Sequence, residues 1–558
     1  RRQRQMCIRD SDYLYRTNQS NFETFPGKII AFWFNDQDIK IFENSEDGTS
    51  GKKGILTGKD AVFKRFWFEI KLQNILFNVT DSKKLIVEKA WIPTTGGGKF
   101  RKWFGNLEDI INMSRNGKLI SETSKNYRLR DSEYYFKDAI TWTEVTSGKP
   151  SARIVPKGVL FGNGGPIAFN KTSNLFLLGL VNSAVGQRYL SAIAPTLNLG
   201  PEQIEKLPII TRENDLKRIK KHVELLIHLS KKDWNAFETS WEFSIHPMLQ
   251  NIDEHNRNWN LKEAFEVWKS EAQDRFDQLK DNEEELNRIF IDLYGLQDEL
   301  TPDVANKDVS VRLADEVRDI KSFLSYFVGL VFGRYSLDVP GLIYAGGDWN
   351  SDQYKSFQPN KDNVLILSDD AYFNDSRDII NRLKEFLRVA FGNENVQANL
   401  EYIAQIVGKG GGTAEEKIRQ YFIKDFYADH VSVYSKRPIY WEYNSGKKEG
   451  LRALMYVHRY DADTTGMIRT DYLLPLQEAY ENALANFESL VESETVAKIR
   501  KVYEKKVTRL TNQIDEMKMF DQVLQHLATA RIEIDLDDGV VENHVKIQDG
   551  QKLLTKIK

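Results

Sequence analysis

The spacing of apolar residues divides the chain into stretches with different predicted secondary structure. Residues 54–210 are rich in aromatic and β-branched residues and are interrupted by Gly, Pro and Asn, which predicts short strands and loops. Between residues 211 and 335, apolar side chains recur every three or four positions, as at Leu261, Phe265 and Trp268, which is typical of amphipathic helices. Residues 340–475 predict a mixture of helices and strands, with glycine-rich turns at 346–347 and 410–412.

The last part of the chain has a long helical pattern. Residues 477–528 predict long helix, with apolar residues at heptad-like steps: Tyr503, Val507, Leu510, Ile514, Met517 and Leu524. A coiled coil between two chains and a helical hairpin within one chain both fit this pattern. The stretch is short for a coiled coil, so the hairpin is the favoured interpretation.

Together these patterns predict an α+β multidomain protein. A mixed α/β domain at 54–210 is expected to follow a connector at 12–53. A helical domain at 211–335 and a mixed α/β domain at 336–476 come next, before a long helix or helical hairpin and a tail at 477–558. Residues 1–11 (RRQRQMCIRDS) resemble translated sequencing-adapter sequence and are expected not to be native.

Composition narrows the class of protein. The chain has 558 residues and a net charge of −3, so contact with nucleic acid must come from local basic patches. No run of 18 apolar residues is present, which argues against a membrane span. The single cysteine, Cys7, allows no internal disulfide, which fits a reducing cytoplasm.

Acidic residues are absent from two long stretches. Residues 145–201 hold no Asp or Glu, against about eight expected from 81 acids in 558 residues. Residues 89–107 are also acid-free, and their cations alternate with Trp and Phe. Because carboxylates repel a phosphate backbone and cations release its counterions, such stretches favour a DNA-facing surface between Lys89 and Lys171. The lysines of the long C-terminal helix, among them Lys498, Lys505 and Lys506, are expected to be dispensable for DNA binding.

The chemistry of an amino-methyltransferase is missing from the chain. Such an enzyme needs an Asn/Asp/Ser-Pro-Pro-aromatic tetrapeptide to hold a flipped base. None of the 14 prolines follows Asn, Asp or Ser. The pair Asp319 and Lys321 could belong to a nuclease, but it lies in a helical pattern and is expected to be structural and at the surface. The eight histidines are scattered, so no zinc site is predicted.

Several runs resemble one protein family. They include TTGGGKFRKWFGN at 94–106, YYFKDAITWTEVTSGKPSARI at 134–154, PTLNLGPEQIEKLPII at 195–210, VFGRYSLDVPGLI at 331–343 and YSKRPIYWEYNSGK at 434–447. The chain resembles PglX-type adenine-specific DNA methyltransferases of BREX phage-defence systems, over roughly residues 12–548. Within that resemblance, residues 54–210 correspond to a target-recognition domain.

The resemblance implies an intact protein that methylates the exocyclic amine of adenine with S-adenosylmethionine. The catalytic domain is then expected upstream, so this chain carries no catalytic residue and binds no cofactor. Double-stranded DNA is the implied partner, and other BREX defence proteins are further candidates. The residues expected to contact DNA fit both the charge pattern and the family runs: Thr57, Lys64, Arg65, Lys99, Arg101, Lys102, Lys149, Ser151 and Arg153.

Two other functions remain open. One is a type IIG-like restriction-modification enzyme, and the other is a stand-alone DNA specificity or scaffold protein without catalysis. The gene's upstream sequence discriminates the last from a methyltransferase. A reading frame that continues in frame to an Asn-Pro-Pro-Tyr-like motif indicates the enzyme, whereas a start codon near Asp12 indicates the stand-alone module.

Overall fold

A computed structural model describes residues 18–557 of the protein, apart from 26, 82–86, 88 and 251–258. The adapter-like segment and Cys7 lie outside the described residues. The chain folds into two compact units, each built from several stretches of sequence. The first contains the described residues of Arg1–Phe63, Leu76–Trp234 and Asp274–Arg312, and the second those of Lys64–Ile75, Asn235–Gln273 and Leu313–Lys558. The finer five-part division of the sequence stays a prediction.

Helices are numbered here in chain order. They are α1 (Asp36–Glu43), α2 (Asp60–Phe63), α3 (Lys118–Thr123), α4 (Asn174–Asn182), α5 (Ala184–Ile193), α6 (Pro201–Glu205), α7 (Glu213–Trp234), α8 (Pro247–Gln250), α9 (Leu261–Tyr294), α10 (Glu316–Val331), α11 (Ile379–Phe391), α12 (Val396–Val407), α13 (Ala414–Tyr421), α14 (Tyr427–Val433), α15 (Thr464–Met467), α16 (Leu474–Ser493), α17 (Ala497–Ala530) and α18 (Val540–Lys546).

The strands are short, as the frequent turn residues of the sequence predict. They are β1 (Thr49–Lys52), β2 (Lys64–Phe66), β3 (Trp91–Thr95), β4 (Asp109–Asn112), β5 (Ala139–Trp142), β6 (Ala152–Val155), β7 (Leu160–Phe161), β8 (Ile167–Asn170), β9 (Val364–Ile366), β10 (Tyr440–Asn444) and β11 (Arg452–Tyr456).

In the first unit, β1, β8, β5 and β6 form an antiparallel sheet in that order. Ser50 lies opposite Phe169, and Ile140 lies opposite Ala168. A second sheet places β3 between β4, which is antiparallel to it, and β7, which is parallel. The chain leaves β3 and β7 through glycine-rich loops, and the parallel pairing brings those two loops together.

The core of the first unit forms where the β1-β8-β5-β6 sheet meets helices. Ile140, Trp142 and Ala168 belong to the same buried cluster as apolar residues of α4, α7 and α9. α4 crosses its neighbours closely at Gly179, where an added Cβ would lie 3.1 Å from Val223 and 3.2 Å from Phe290. Close packing of this kind fixes the sheet, and hence its loops, on a rigid helical base.

In the second unit, β10, β11 and β9 form an antiparallel sheet. Tyr440, Trp441 and Tyr443 on β10 are completely buried. The C-terminal segment adds to the edge of this sheet, since Asn444 N donates to Leu553 O at 3.0 Å and Thr555 N donates to Glu442 O at 2.8 Å. These three aromatic residues are therefore part of the core, because large aromatic side chains release much free energy when they leave water.

The predicted helical hairpin is confirmed. α16 and α17 pack together, and only residues 494–496 join them. Leu510, Ile514, Met517 and Leu524 of the heptad-like series are buried. The α+β fold class is confirmed as well. Among the described residues, no helix combines the length and the apolar composition that a membrane span requires.

Candidate nucleic-acid interface

Five of the nine predicted DNA-contacting residues are buried in the first unit. Thr57, Arg101, Lys102, Ser151 and Arg153 each expose 6% or less of their surface. Lys99 and Lys149 are exposed, while Lys64 and Arg65, in the second unit, are half-buried. For the five buried side chains, DNA contact stays a prediction that their surroundings do not favour, because each already has a role inside the fold.

Arg101 is held by the C-terminal end of α7. Its Nη2 lies 2.8 Å from Asp233 Oδ2 and donates to Ser230 O at 3.0 Å, while Nε donates to Phe104 O at 2.7 Å. The guanidinium also lies over the ring of Trp234, 5.0 Å from its centroid. Arg101 therefore ties the loop after β3 to a helix, through several guanidinium hydrogen bonds and a stacking contact of the kind that suits arginine.

Lys102 and Trp103 converge on one carboxylate of α9. Lys102 Nζ forms a buried ion pair with Glu283, and Trp103 Nε1 donates to Glu283 Oε1 at 2.6 Å. Burial raises the pKa of the Glu283 carboxyl, and the adjacent Lys102 ammonium opposes that rise. A lysine held in this way offers no free charge to a phosphate.

Arg153 on β6 is also inside the first unit. Its Nη1 donates to Arg101 O at 3.3 Å, and Nε and Nη2 have no hydrogen-bond partner. Burial lowers the pKa of Arg153 to about 10, and the nearby Arg101 charge acts in the same direction. Ser151 Oγ accepts a long hydrogen bond from Arg101 N at 3.4 Å.

The acid-free stretches therefore have a structural explanation that the sequence did not reveal. The carboxylates that neutralise Arg101 and Lys102 come from Asp233 and Glu283, which lie more than a hundred positions further along the chain. Absence of acids along a segment is not absence of acids around it in space. Changing Arg101, Lys102 and Arg153 together would remove three buried charges, two of them ion-paired, so this triple change is expected to lower the melting temperature.

The glycines of the two loops serve close packing of the backbone. An added Cβ on Gly165 would lie 2.6 Å from Gly96 O, and one on Gly162 would lie 2.6 Å from Thr95 O. Thr95 Oγ1 donates to Gly165 O at 2.6 Å, which locks the loops to each other. The glycines thus let two chain segments approach one another, which also brings their neighbours to one place.

Four loops of the first unit meet to form what we call the loop surface, residues 96–100, 143–149, 163–164 and 196–198. Thr143 Oγ1 donates to Gly98 O at 3.4 Å, and Glu144 N donates to Gly164 O at 3.2 Å. Thr146 N donates to Leu197 O at 3.0 Å, which pairs the second loop with the fourth. Hydrogen bonds to the backbone therefore fix all four loops relative to one another.

The loop surface exposes cations beside apolar side chains. Lys99 is exposed and forms no ion pair with any described residue, while Lys149 pairs with Asp308 at 2.7 Å and stays largely exposed. Val145 exposes 66% of its surface and Leu197 61%. Sequence reasoning missed these two apolar residues, because only the folded structure shows that they are uncovered.

Two further groups complete this region. Lys53 pairs with the buried Glu144 at 2.7 Å, so its charge is partly neutralised. Thr57 donates from Oγ1 to the Asp60 carboxylate and accepts from Lys59 N at 3.1 Å, which orders the turn that exposes Lys59. A cleft of about 270 Å³ lies beside the loop surface and is lined by Thr146, Lys149, Gln187, Ser191 and Leu197, among others.

In the second unit, Arg65 is committed to the chain's own C-terminal part. Its Nη2 donates to Asp538 O at 2.8 Å, and an added Cβ on Gly539 would lie 2.4 Å from Arg65 Nε. Burial lowers the pKa of Arg65 in spite of the nearby Glu69 and Asp538 carboxylates. Lys64, its neighbour on β2, is half-buried.

Asp319 is structural, as expected, but it is buried rather than at the surface. Its Oδ2 accepts from Trp268 Nε1 at 2.9 Å and from Asp315 N at 3.0 Å, at the start of α10. Lys321 pairs with Asp429 at 2.9 Å. Among the described residues, no group of three or more His, Cys, Asp or Glu side chains is arranged to hold a metal ion.

Comparison with known proteins identifies the family. Over 98% of its length the chain is 46% identical to a protein of Lacticaseibacillus casei (strain Zhang) named "Adenine-specific methyltransferase PglX". Over 96% of its length it is 33% identical to "Adenine-specific methyltransferase BrxX" of Escherichia coli O9:H4 (strain HS). The chain belongs to the PglX family. It spans about half the length of these two relatives, 46% and 45%.

Membership of the PglX family rests on the pairwise matches, since no family model matches the chain. The match to PglX covers both units and includes the loop surface, because it extends over nearly all of the chain. Arg101 and Lys102, which form buried ion pairs, lie in TTGGGKFRKWFGN, one of the runs that resemble the PglX family.

Proposed function

We propose that this chain is the DNA-recognition part of a site-specific adenine DNA methyltransferase that acts in BREX phage defence. The observation that carries the proposal is the similarity to an adenine-specific methyltransferase over 98% of the chain. S-adenosylmethionine is then the methyl donor of the intact enzyme, and no residue of this chain is assigned to it. Other BREX proteins are proposed partners of the intact enzyme.

The loop surface is the proposed contact with duplex DNA. Lys99 and Lys149 project from loops held on a rigid base, as residues that bind phosphate should be. Asn163 and Asn198 lie in the same loops, and an asparagine amide can pair with the edge of adenine. Val145 and Leu197 are suited to contact a thymine methyl group or an opened base step.

The buried residues have a supporting role in this proposal. Arg101, Lys102 and Arg153 hold the loop after β3 against α7, α9 and β6, so that Lys99 is presented in one position. Ser151 and Thr57 order the neighbouring backbone. Lys64 and Arg65 remain proposed contacts of the second unit, although Arg65 is already tied to the C-terminal part by its hydrogen bond to Asp538 O.

Selection from a randomised duplex library tests the proposal directly. The chain should enrich a short motif that contains adenine. The double change Lys99→Gln and Asn163→Ala should weaken binding to that motif. Loss of the base contact of Asn163 should cost about 1–3 kcal/mol on the motif and less on random duplexes. Because one phosphate contact is lost, the fall of log affinity with log salt should become less steep by about 0.9.

The matched control removes charge elsewhere in the first unit. Lys125 and Lys221 are exposed and form no ion pair with described residues, so Lys125→Gln with Lys221→Gln should leave the preference for the motif unchanged. No enriched motif, or an equal loss of preference in both variants, would contradict recognition by the loop surface.

A further inference from the structure

We propose that one face of α17, together with the loop between β10 and β11, is a second binding site for the phosphate backbone of duplex DNA, separate from the loop surface. The site reads no sequence. Its ligand is the regular row of phosphates, and its groups are lysines of the second unit.

Three lysines share the outward face of the first turns of α17. Lys498, Lys501 and Lys505 are spaced by three and four residues, which places them on one side of an α-helix. All three are exposed. The opposite side of α17 is the packed one, where Leu510 and Ile514 are buried. The lysines therefore point away from the body of the hairpin.

Between Lys505 and Glu516, the same face continues with polar side chains. Thr508 and Asn512 follow Lys505 at helical spacing, and both can donate a hydrogen bond to phosphate. The acidic residues in this part of α17, Glu504 and Asp515, flank the face, about 80° and about 60° around the helix from its middle. Because the middle of a protein–protein interface is apolar, this face suits a polyanion better than a folded protein partner.

The loop between β10 and β11 extends the face along the helix. Lys448 N donates to Glu516 Oε2 at 2.8 Å, and Gly450 N donates to Glu516 Oε1 at 3.1 Å. Glu516 is 18 residues, or five full turns, after Lys498, so the loop sits on the same side of α17, about 27 Å further along. Lys447 and Lys448 are exposed there, whereas Glu516 is buried.

These lysines differ from the cations beside them in having no acidic partner. Lys506 lies 3.5 Å from Asp370, and Arg509 lies 3.0 Å from Asp369. In the part of the chain that the structure describes, no ion pair involves any lysine of the proposed site: Lys447, Lys448, Lys498, Lys501 and Lys505. Five unpaired positive charges along about 27 Å complement duplex DNA, which carries one negative charge per about 1.7 Å.

This inference departs from the expectation that Lys498 and Lys505 are dispensable for DNA binding. Sequence position alone placed them on a solvated helix, the usual setting of a lysine. The structure adds two facts: the lysines share one exposed face of α17, and a distant loop continues that face with two more. Lys506, by contrast, lies beside this face and pairs with Asp370.

The test is binding of the 558-residue chain to a random-sequence duplex of about 25 base pairs, measured by fluorescence anisotropy over a series of salt concentrations. The triple change Lys498→Gln, Lys501→Gln and Lys505→Gln should reduce the steepness of the fall of log affinity with log salt by about 2.7. This value counts about 0.9 for each of three lost phosphate contacts. The change Lys447→Gln with Lys448→Gln should reduce that steepness by about 1.8. The melting temperature should stay the same in both.

The matched control removes three charges elsewhere in the second unit, from exposed lysines that form no ion pair with a described residue. Lys262→Gln, Lys361→Gln and Lys546→Gln should change the slope far less than the triple on α17. Equal effects of the two triples would overturn the proposal, since they would report net charge only. No binding of random duplex by the unaltered chain, or no effect of the α17 triple, would also overturn it.

Two further measurements distinguish the α17 site from a site for acidic polypeptides and from the loop surface. The first measures binding of labelled polyglutamate. If polyglutamate binds the unaltered chain but not the α17 triple variant, while that variant still binds DNA like the unaltered chain, the proposal is overturned in favour of an acidic polypeptide. The change Lys99→Gln with Asn163→Ala should leave intact the contribution of α17 to the slope. Failure of the loop surface and failure of the α17 site are therefore distinguishable.

Discussion

Arg101 Nη2 lies 2.8 Å from Asp233 Oδ2, and both side chains are almost completely buried. The pair joins the loop after β3 to the end of α7 across 132 positions of sequence. It explains why a basic, acid-free run of the sequence does not form a basic surface. It also implies that Arg101 and Lys102, which were expected to touch DNA, contribute to the stability of the first unit.

Removing one partner of this pair should destabilise the first unit. Arg101→Ala leaves the Asp233 carboxylate buried without its main counter-charge, which costs about 3–5 kcal/mol in the free energy of unfolding. Denaturation by urea, followed by circular dichroism, measures the loss. Lys99→Ala, two positions earlier in the same loop but exposed, should change the free energy by less than about 0.5 kcal/mol. Similar losses in the two variants would show that Arg101 does not hold the loop.

Truncation of Trp441 should cost the second unit about 3–5 kcal/mol, because its ring is completely buried on β10. Trp441 Nε1 also donates to Pro438 O at 3.1 Å, so the change removes a buried hydrogen bond as well. Tyr443→Phe, which removes only the hydroxyl bonded to Thr465 Oγ1 at 3.0 Å, should cost about 1 kcal/mol. Thermal melts rank the two variants, and an unchanged melting temperature for Trp441→Ala would refute the core assignment.

Acid should destabilise the second unit through a buried histidine. His430 Nε2 accepts from the backbone amides of Ile439 and Tyr440 at 3.1 and 3.0 Å, so the folded state needs the neutral ring. Burial, together with the Arg334 charge, lowers the pKa of His430 to about 3. Since the unfolded histidine has a pKa of about 6.5, the stabilisation is complete above that pH and falls by about 1.4 kcal/mol per unit as the pH drops below it.

The change His430→Gln isolates this contribution, because the amide oxygen can still accept from the backbone. The dependence of the free energy of unfolding on pH between about 4 and 6 should become shallower by about 1.4 kcal/mol per unit. His228→Gln, at an exposed position of α7, is the matched control and should leave that dependence unchanged. If both variants have the same pH profile as the unaltered chain, His430 is not the titrating group.

The exposed apolar pair of the loop surface should matter for binding and not for folding. Val145→Ser with Leu197→Ser removes two uncovered side chains, so the free energy of unfolding should change by less than about 0.5 kcal/mol. Affinity for the selected DNA motif should fall, because apolar contacts with thymine methyl groups or base steps are lost. Anisotropy with the motif and with a random duplex checks this, and equal affinity for the motif before and after the change would exclude the pair from recognition.

The sequence by itself determined the fold class and the helical hairpin, since the periodicity of apolar residues reports local secondary structure directly. Its family runs also agree with the matched relatives. Whether each basic side chain meets an acidic partner was decided only by the tertiary structure. Arg101 and Lys102 meet Asp233 and Glu283, whereas Lys498 and Lys505 form no ion pair with a described residue, and nothing in the local sequence separates the two cases. Electrostatic interaction depends on distance in space, and only folding brings residues a hundred or more positions apart within about 3 Å.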